Sequence, residues 1–137
     1  MAKKKLPDHF LKDMQALAKE LEAESERGTV ILSASMLEEA LGLILRTAIH
    51  ADVDDKIQRE LFLGQGAMAS FSARSKLCYV FGYISSDEFK AIDTIREIRN
   101  QFAHFSAPTP QLSEQRFTDK MANVRGLFPV EYDACLE

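Results

Sequence analysis

Arg96, Arg99, Asn100 and His104 are the side chains of this 137-residue sequence whose types and spacing best suit chemistry on phosphate. An arginine guanidinium binds phosphate through two parallel hydrogen bonds, and a histidine that titrates near neutral pH can act as a general acid or base. An asparagine beside them can orient the imidazole or the phosphate. Arg99, Asn100 and His104 therefore form a candidate catalytic set for cleavage of RNA without a metal.

The same residues also have a structural explanation, because the negative end of the helix dipole stabilises positive side chains near the C-terminus of a helix. On a helical wheel Arg96, Asn100 and His104 lie together at four-residue spacing, with Arg99 on the flank between them and the core. We therefore expect His104 to lie away from the core. The opposite arc holds the apolar residues that we expect to pack inward, namely Ala91, Ile95, Ile98, Phe102 and Phe105.

Phe89 and Ile92 lie on the N-terminal part of this polar face and predict a second buried surface there. A second copy of the chain could cover it in a twofold dimer, which would bring the polar groups of both copies into one cleft. Another helix of the same chain could equally cover it. Both alternatives stay open at this point.

Apolar residues spaced three and four apart predict helices along most of the chain. Ser85 and Glu88 form a predicted capping box, whereas Gly28 is expected to separate the first two helices and Ser72 to cap a later one. Tyr79, Phe81 and Tyr83 are expected to be packing groups with polar tips. The predicted helices cover residues 7 to about 25–28, 30–50, 52–62, 72–82, 86–105 and 112–125.

These elements predict an all-α fold, an antiparallel helical bundle of four main helices plus short helices. No two-residue alternation typical of strands persists for long. The expected organisation is a disordered basic tail over residues 1–6 and a single all-helical domain over residues 7–137.

A net charge of −4 and a pI near 5.4 argue against direct DNA binding, because that binding relies on many lysines and arginines at phosphates. Glu38, Glu39 and His50 lack the spacing of metal ligands, and Cys78 and Cys135 lack a CxxC arrangement. We find no secretory signal and no long apolar run, so we expect a cytoplasmic protein without a membrane segment, a metal or a cofactor.

Arg74 lies in the first turn of its predicted helix, where the positive end of the helix dipole disfavours a cation. An anion site or an acidic neighbour would explain its position. Together with Arg96 and Arg99, Arg74 is a candidate for binding an anion or a partner protein.

Three segments, 27–41, 71–77 and 95–104, resemble in order the signatures of the mannitol operon repressor (MltR) family. The resemblance implies an all-helical repressor of transcription for sugar-alcohol uptake, with no recognisable DNA-binding motif of its own. It therefore implies a protein partner, for which a phosphocarrier of the sugar phosphotransferase system is one candidate.

The Arg99-Asn100-x3-His104 string is also similar to the motif of HEPN domains, helical bundles that often dimerise and include metal-independent ribonucleases. That resemblance implies that Arg99 holds the scissile phosphate, that Asn100 assists, and that His104 acts as acid or base at a dimer cleft. Two functions thus follow from the sequence: a regulator that acts through protein contacts, or a ribonuclease or toxin that binds RNA in a homodimer.

Overall fold

A computed structural model describes residues 8–104 and 107–127 of the chain, and these form six α-helices with no strand among them. The predicted all-α class is confirmed. The basic tail at 1–6, Phe105 and Cys135 lie outside the described residues. The helices are α1 (Asp8–Glu22), α2 (Glu26–Thr47), α3 (Asp55–Phe62), α4 (Phe71–Val80), α5 (Ser86–Ala103) and α6 (Gln115–Leu127).

The capping box predicted at the start of α5 is confirmed. The Ser85 hydroxyl accepts a hydrogen bond from the Glu88 N–H at 3.1 Å, and the Ser85 N–H donates to Glu88 Oε2 at 2.6 Å. These two bonds satisfy backbone and side-chain groups that the first turn of a helix otherwise leaves without partners. Residues 85–88 therefore determine where α5 begins.

Two predicted helix starts are wrong, and both errors concern the capping residue. Gly28 does not separate α1 from α2, because the Ser25 hydroxyl accepts the Gly28 N–H at 3.1 Å and starts α2 at Glu26. Similarly, Ser70 rather than Ser72 caps α4 and accepts the Ala73 N–H at 3.1 Å. A cap lies outside the apolar pattern, so periodicity alone misplaces it by a few residues.

The last helix begins three residues later than predicted, at Gln115 instead of Leu112. A turn precedes it, in which the Gln111 N–H donates to Glu114 Oε1 at 2.8 Å. This backbone hydrogen bond, assisted by Arg116, lowers the pKa of the Glu114 carboxyl.

A first apolar cluster joins α2 to α3, α4 and α5. Ile92 is buried in this cluster, and the Phe89 ring stacks on Tyr79 of α4 with centroids 5.0 Å apart. Another helix of the same chain thus accounts for the two apolar residues on the polar side of α5. The buried members of the cluster are Ala34, Leu41, Leu45, Phe62, Phe71, Cys78 and Ile92.

Cys78 is fully buried at the centre of this cluster, with its Sγ 3.6 Å from the Leu41 carbonyl oxygen. Burial raises the pKa of the Cys78 thiol to about 11, because a thiolate loses its hydration there. The thiol is therefore neutral at physiological pH and serves as a packing group.

A second cluster joins α5 to α6. Phe102 and Phe117 are fully buried with ring centroids 5.1 Å apart, and Ile98 packs beside them. At the surface, Lys120 Nζ lies 2.5 Å from Glu97 Oε2. The buried positions of Ile98 and Phe102 confirm the predicted core face of α5, whereas the antiparallel arrangement of the whole bundle stays a prediction.

In the described part of the chain, α2 is the one helix with the length and apolar composition of a membrane span. The core helix of a globular protein meets the same criterion. Since Ala34, Leu41 and Leu45 of α2 are buried against the other helices, we describe α2 as the central helix of the core.

Candidate functional site

Arg99, Asn100 and His104 lie together at the C-terminal end of α5, and we call this set the polar end of α5. Arg99 Nη1 donates a hydrogen bond to Asn100 Oδ1 at 3.0 Å, and both side chains are half-buried. His104 is the C-cap residue, and its backbone N–H donates to the Asn100 carbonyl at 3.3 Å. Its side chain is exposed, which confirms that it is not a core histidine.

Arg27, in the first turn of α2, holds the polar end of α5 in place. Its Nε donates to the Phe102 carbonyl at 2.6 Å, and its Nη2 donates to the His104 carbonyl. The last carbonyls of a helix have no partner within the helix, and a cation is also stabilised there by the negative end of the helix dipole. The sequence analysis missed Arg27 because it started the second helix at residue 30, whereas α2 begins at Glu26 and places Arg27 in its first turn.

Arg96 is engaged within its own helix. Its Nε and Nη2 lie 3.0 and 2.8 Å from Asp93 Oδ1, one turn earlier. The guanidinium therefore points toward Asp93, and its charge is balanced by that carboxylate. The expectation that Arg96 binds a partner or an anion stays a prediction.

Arg74 lies away from the polar end of α5, in the core between α4 and α2. Its Nη1 donates to the Glu38 carbonyl and to Glu39 Oε1, both at 3.1 Å, and its Nε donates to the Met68 carbonyl at 2.9 Å. Glu39 is thus the acidic neighbour that the sequence left as one of two explanations. These contacts account for the buried charge without an external anion, and the anion-binding role stays a prediction.

Close approach by Arg74 also explains a glycine on α2. A Cβ placed on Gly42 would lie 3.0 Å from Arg74 Nη1, a contact so tight that the guanidinium would have to shift by a few tenths of an ångström. The small residue at position 42 therefore makes room for the guanidinium beside α2.

A second, partly apolar surface lies where α4 ends. Tyr79, Val80, Phe81 and Tyr83 are exposed there, and we call this set the aromatic end of α4. The Phe81 and Tyr83 rings pack edge to face at 6.5 Å. Tyr79 stacks on Phe89 and Phe81 packs on Tyr83, which fits packing groups with polar tips, and each side chain also keeps a large exposed fraction.

The aromatic end of α4 borders a cavity of about 400 Å³ that separates it from the end of α2. Phe81 and Tyr83 form one wall of this cavity, and apolar side chains of α2 and of the links around α3 form the other. Its lining residues are Leu45, Ala48, Ile49, Met68, Phe81 and Tyr83.

Comparisons of this chain with protein-family models, with curated proteins and with solved structures give no match. The resemblances to the mannitol operon repressor family and to HEPN domains thus stay predictions from short segments.

Proposed function

We propose that this protein is a cytoplasmic, non-enzymatic regulator of transcription that binds another protein through the polar end of α5 and does not contact DNA directly. The segments that resemble the mannitol operon repressor family support the regulatory role. The net charge of −4 supports a protein partner over DNA, since DNA binding depends on an excess of lysines and arginines for phosphate contacts.

This proposal depends mainly on how the charge of Arg99 is paired. Asp93 balances Arg96 and Glu39 balances Arg74, whereas no carboxylate of the residues described here pairs with Arg99. The Asn100 amide orients the Arg99 guanidinium, whose charge no carboxylate within residues 8–104 and 107–127 compensates. An acidic or phosphorylated surface of a partner would supply the missing anion through charge-assisted hydrogen bonds.

The site is also preorganised, which favours binding. Arg27 fixes the last carbonyls of α5, and Asn100 fixes Arg99, so little side-chain freedom is lost when a partner docks. The exposed His104 side chain adds a hydrogen-bonding group beside Arg99. A phosphocarrier of the sugar phosphotransferase system, with its phosphorylated surface, is our candidate partner.

A binding experiment with two arginine variants tests the proposal. We expect purified phosphocarrier to bind the wild-type protein in calorimetry, and we expect Arg99→Gln to weaken binding by about tenfold to a hundredfold, the value of a lost charge-assisted hydrogen bond. Arg96→Gln is the matched control and should change affinity less than about threefold, because Asp93 already neutralises Arg96.

The same variants test the proposal without assuming the partner. We expect the wild-type protein to retain one cytosolic protein in near-stoichiometric amount, with that protein lost from Arg99→Gln and kept by Arg96→Gln. Equal retention by both variants, or no retained protein and no phosphocarrier binding, would contradict the proposal.

A ribonuclease is the second candidate function, because the same three side chains could bind and cleave a phosphodiester. Arg99 would hold the phosphate and the exposed His104 would transfer the proton, with two copies of the chain forming the cleft. We would then expect cleavage of RNA in the presence of a chelator, abolished by His104→Ala and kept by His50→Ala, a control at another exposed histidine. RNA that stays intact with the wild-type protein excludes this candidate.

A further inference from the structure

We infer that Arg27 is a positioning residue, which decides where α5 ends and thereby where His104 lies in the partner-binding site. The backbone leaves the helix at His104, with φ −68° and ψ 140°. Arg27 donates to the carbonyls before and after this turn, those of Phe102 and His104. A guanidinium is suited to bridge two carbonyls because its donors form a rigid fork.

Arg27 is itself held firmly at the start of α2. The Ser25 hydroxyl caps this helix by accepting the Gly28 N–H at 3.1 Å, and the Arg27 side chain is half-buried. Val30, about one turn further on, packs against the second apolar cluster, to which Phe102 of α5 belongs. Apolar contacts thus fix the start of α2 beside the end of α5, and the guanidinium fork adds the polar contact at the helix end.

The chain that leads to α6 also passes close to Arg27. A cavity of about 360 Å³ separates the start of α2 from residues 109–111, and Arg27 lines it together with these residues. Pro110 in this wall is buried. Arg27 therefore contacts the residue at which the chain leaves α5 and borders the same cavity as the residues that lead to α6.

The hydrogen bond that α5 itself supplies to His104 is long. The His104 N–H lies 3.3 Å from the Asn100 carbonyl oxygen, against about 2.9–3.0 Å for a typical bond of this kind. Without the fork, the Phe102 carbonyl loses its partner and the last turn frays. Arg99 lies more than one turn earlier and keeps its Asn100 partner. The effect of Arg27 on the site should therefore act through His104.

Arg27→Lys tests the positioning role without any partner, because lysine keeps the charge and lacks the fork. We expect the His104 amide to exchange its hydrogen at least about tenfold faster and the His104 imidazole signal to shift in NMR, with the His9 and His50 signals unchanged. Arg27→Gln, which also removes the charge, should shift the same signal further. Arg59→Lys, at an exposed arginine of α3, is the matched control and should leave His104 unchanged.

A double-variant binding experiment tests the consequence for the partner, and this step rests on the proposed function. We expect Arg27→Lys and His104→Ala each to weaken binding of the phosphocarrier by about threefold to tenfold, the value of one hydrogen bond. The double variant should bind as His104→Ala does, within about twofold, because Arg27 acts through His104. A merely structural arginine would instead give fold-changes that multiply.

The outcomes separate this inference from the proposed function. An unchanged His104 amide and imidazole in both Arg27 variants overturns the inference, and so do fold-changes that multiply in the double variant. If the wild-type protein binds no phosphocarrier, or Arg99→Gln binds it as tightly, the proposed phosphocarrier partner fails. The exchange and imidazole measurements then still decide whether Arg27 positions His104.

Discussion

At the scale of single residues, the partners of each arginine decide what it can do. Arg27 donates to backbone carbonyls of α5, Arg74 is buried among carbonyls and Glu39, and Arg96 is paired with Asp93. Arg99 has the Asn100 amide as its partner. Arg27, Arg74 and Arg96 are therefore engaged in structural contacts. Arg99, by contrast, is available to bind a ligand.

Arg74 gives a prediction at this scale. Arg74→Met should lower the free energy of unfolding by about 3 kcal/mol, because the carbonyls of Glu38 and Met68 lose a charged donor in the core. Glu39→Gln is the control and should cost less than about 1 kcal/mol, since the Glu39 side chain is 76% exposed and water replaces the ion pair. Urea denaturation measures both, and equal small losses would show that Arg74 is not a structural residue.

At the scale of elements, α5 is fixed at both ends by different means. The Ser85–Glu88 capping box starts it through contacts three residues apart, and Arg27 ends it through contacts with a helix 75 residues earlier in the chain. Between these ends, one side packs on α2 and α4 and another on α6. The position of the polar end of α5 therefore depends on the contacts of Arg27, which the local sequence of α5 does not encode.

The capping box gives a prediction at the scale of elements. Ser85→Ala should lower the free energy of unfolding by about 1 kcal/mol, because the Glu88 N–H loses its acceptor at the helix start. Ser86→Ala is the matched control, since Ser86 is an exposed serine inside the same first turn and caps nothing, and should change stability by less than about 0.5 kcal/mol. Thermal or urea unfolding followed by circular dichroism compares the two, and a similar effect of both would contradict the assigned cap.

At the scale of the whole molecule, two apolar clusters hold α2 to α6 together. The first joins α2, α3, α4 and α5, and the second attaches α6 to α5 around Phe102 and Phe117. Since α5 contributes Ile92 to one cluster and Ile98 to the other, it connects them. Loss of the second cluster should therefore free α6 and leave the first cluster intact.

Phe117→Ala tests this division. It should destabilise the protein by about 3–5 kcal/mol, because it removes a fully buried ring against Phe102. In hydrogen exchange, amides of α6 should lose protection, while amides near Leu41 and Cys78 keep most of theirs at low denaturant. Leu63→Ala, at an exposed apolar residue, should change neither pattern. Uniform loss of protection across all helices would indicate a single cooperative core instead.

The sequence by itself determined the features that depend on residues a few positions apart. Three- and four-residue spacing predicts these features, because that spacing is the geometry of the helix itself. They are the helical class, the capping box of α5, its buried residues Ile98 and Phe102, and the exposure of His104. The same reasoning identified Arg99, Asn100 and His104 as neighbours. It misplaced two caps by a few residues, since a cap is not part of the periodic pattern.

Only the tertiary structure decided which charges are balanced and which apolar residues stay exposed. Arg27 meets its carbonyls across 75 residues, and Arg74 meets Glu39 across 35, so no local pattern shows these pairs. Likewise, the exposed fractions of Tyr79, Phe81 and Tyr83 depend on where α4 ends relative to α2, which local spacing does not show. The physical reason is that burial and pairing are properties of packed surfaces, which distant parts of the chain create together.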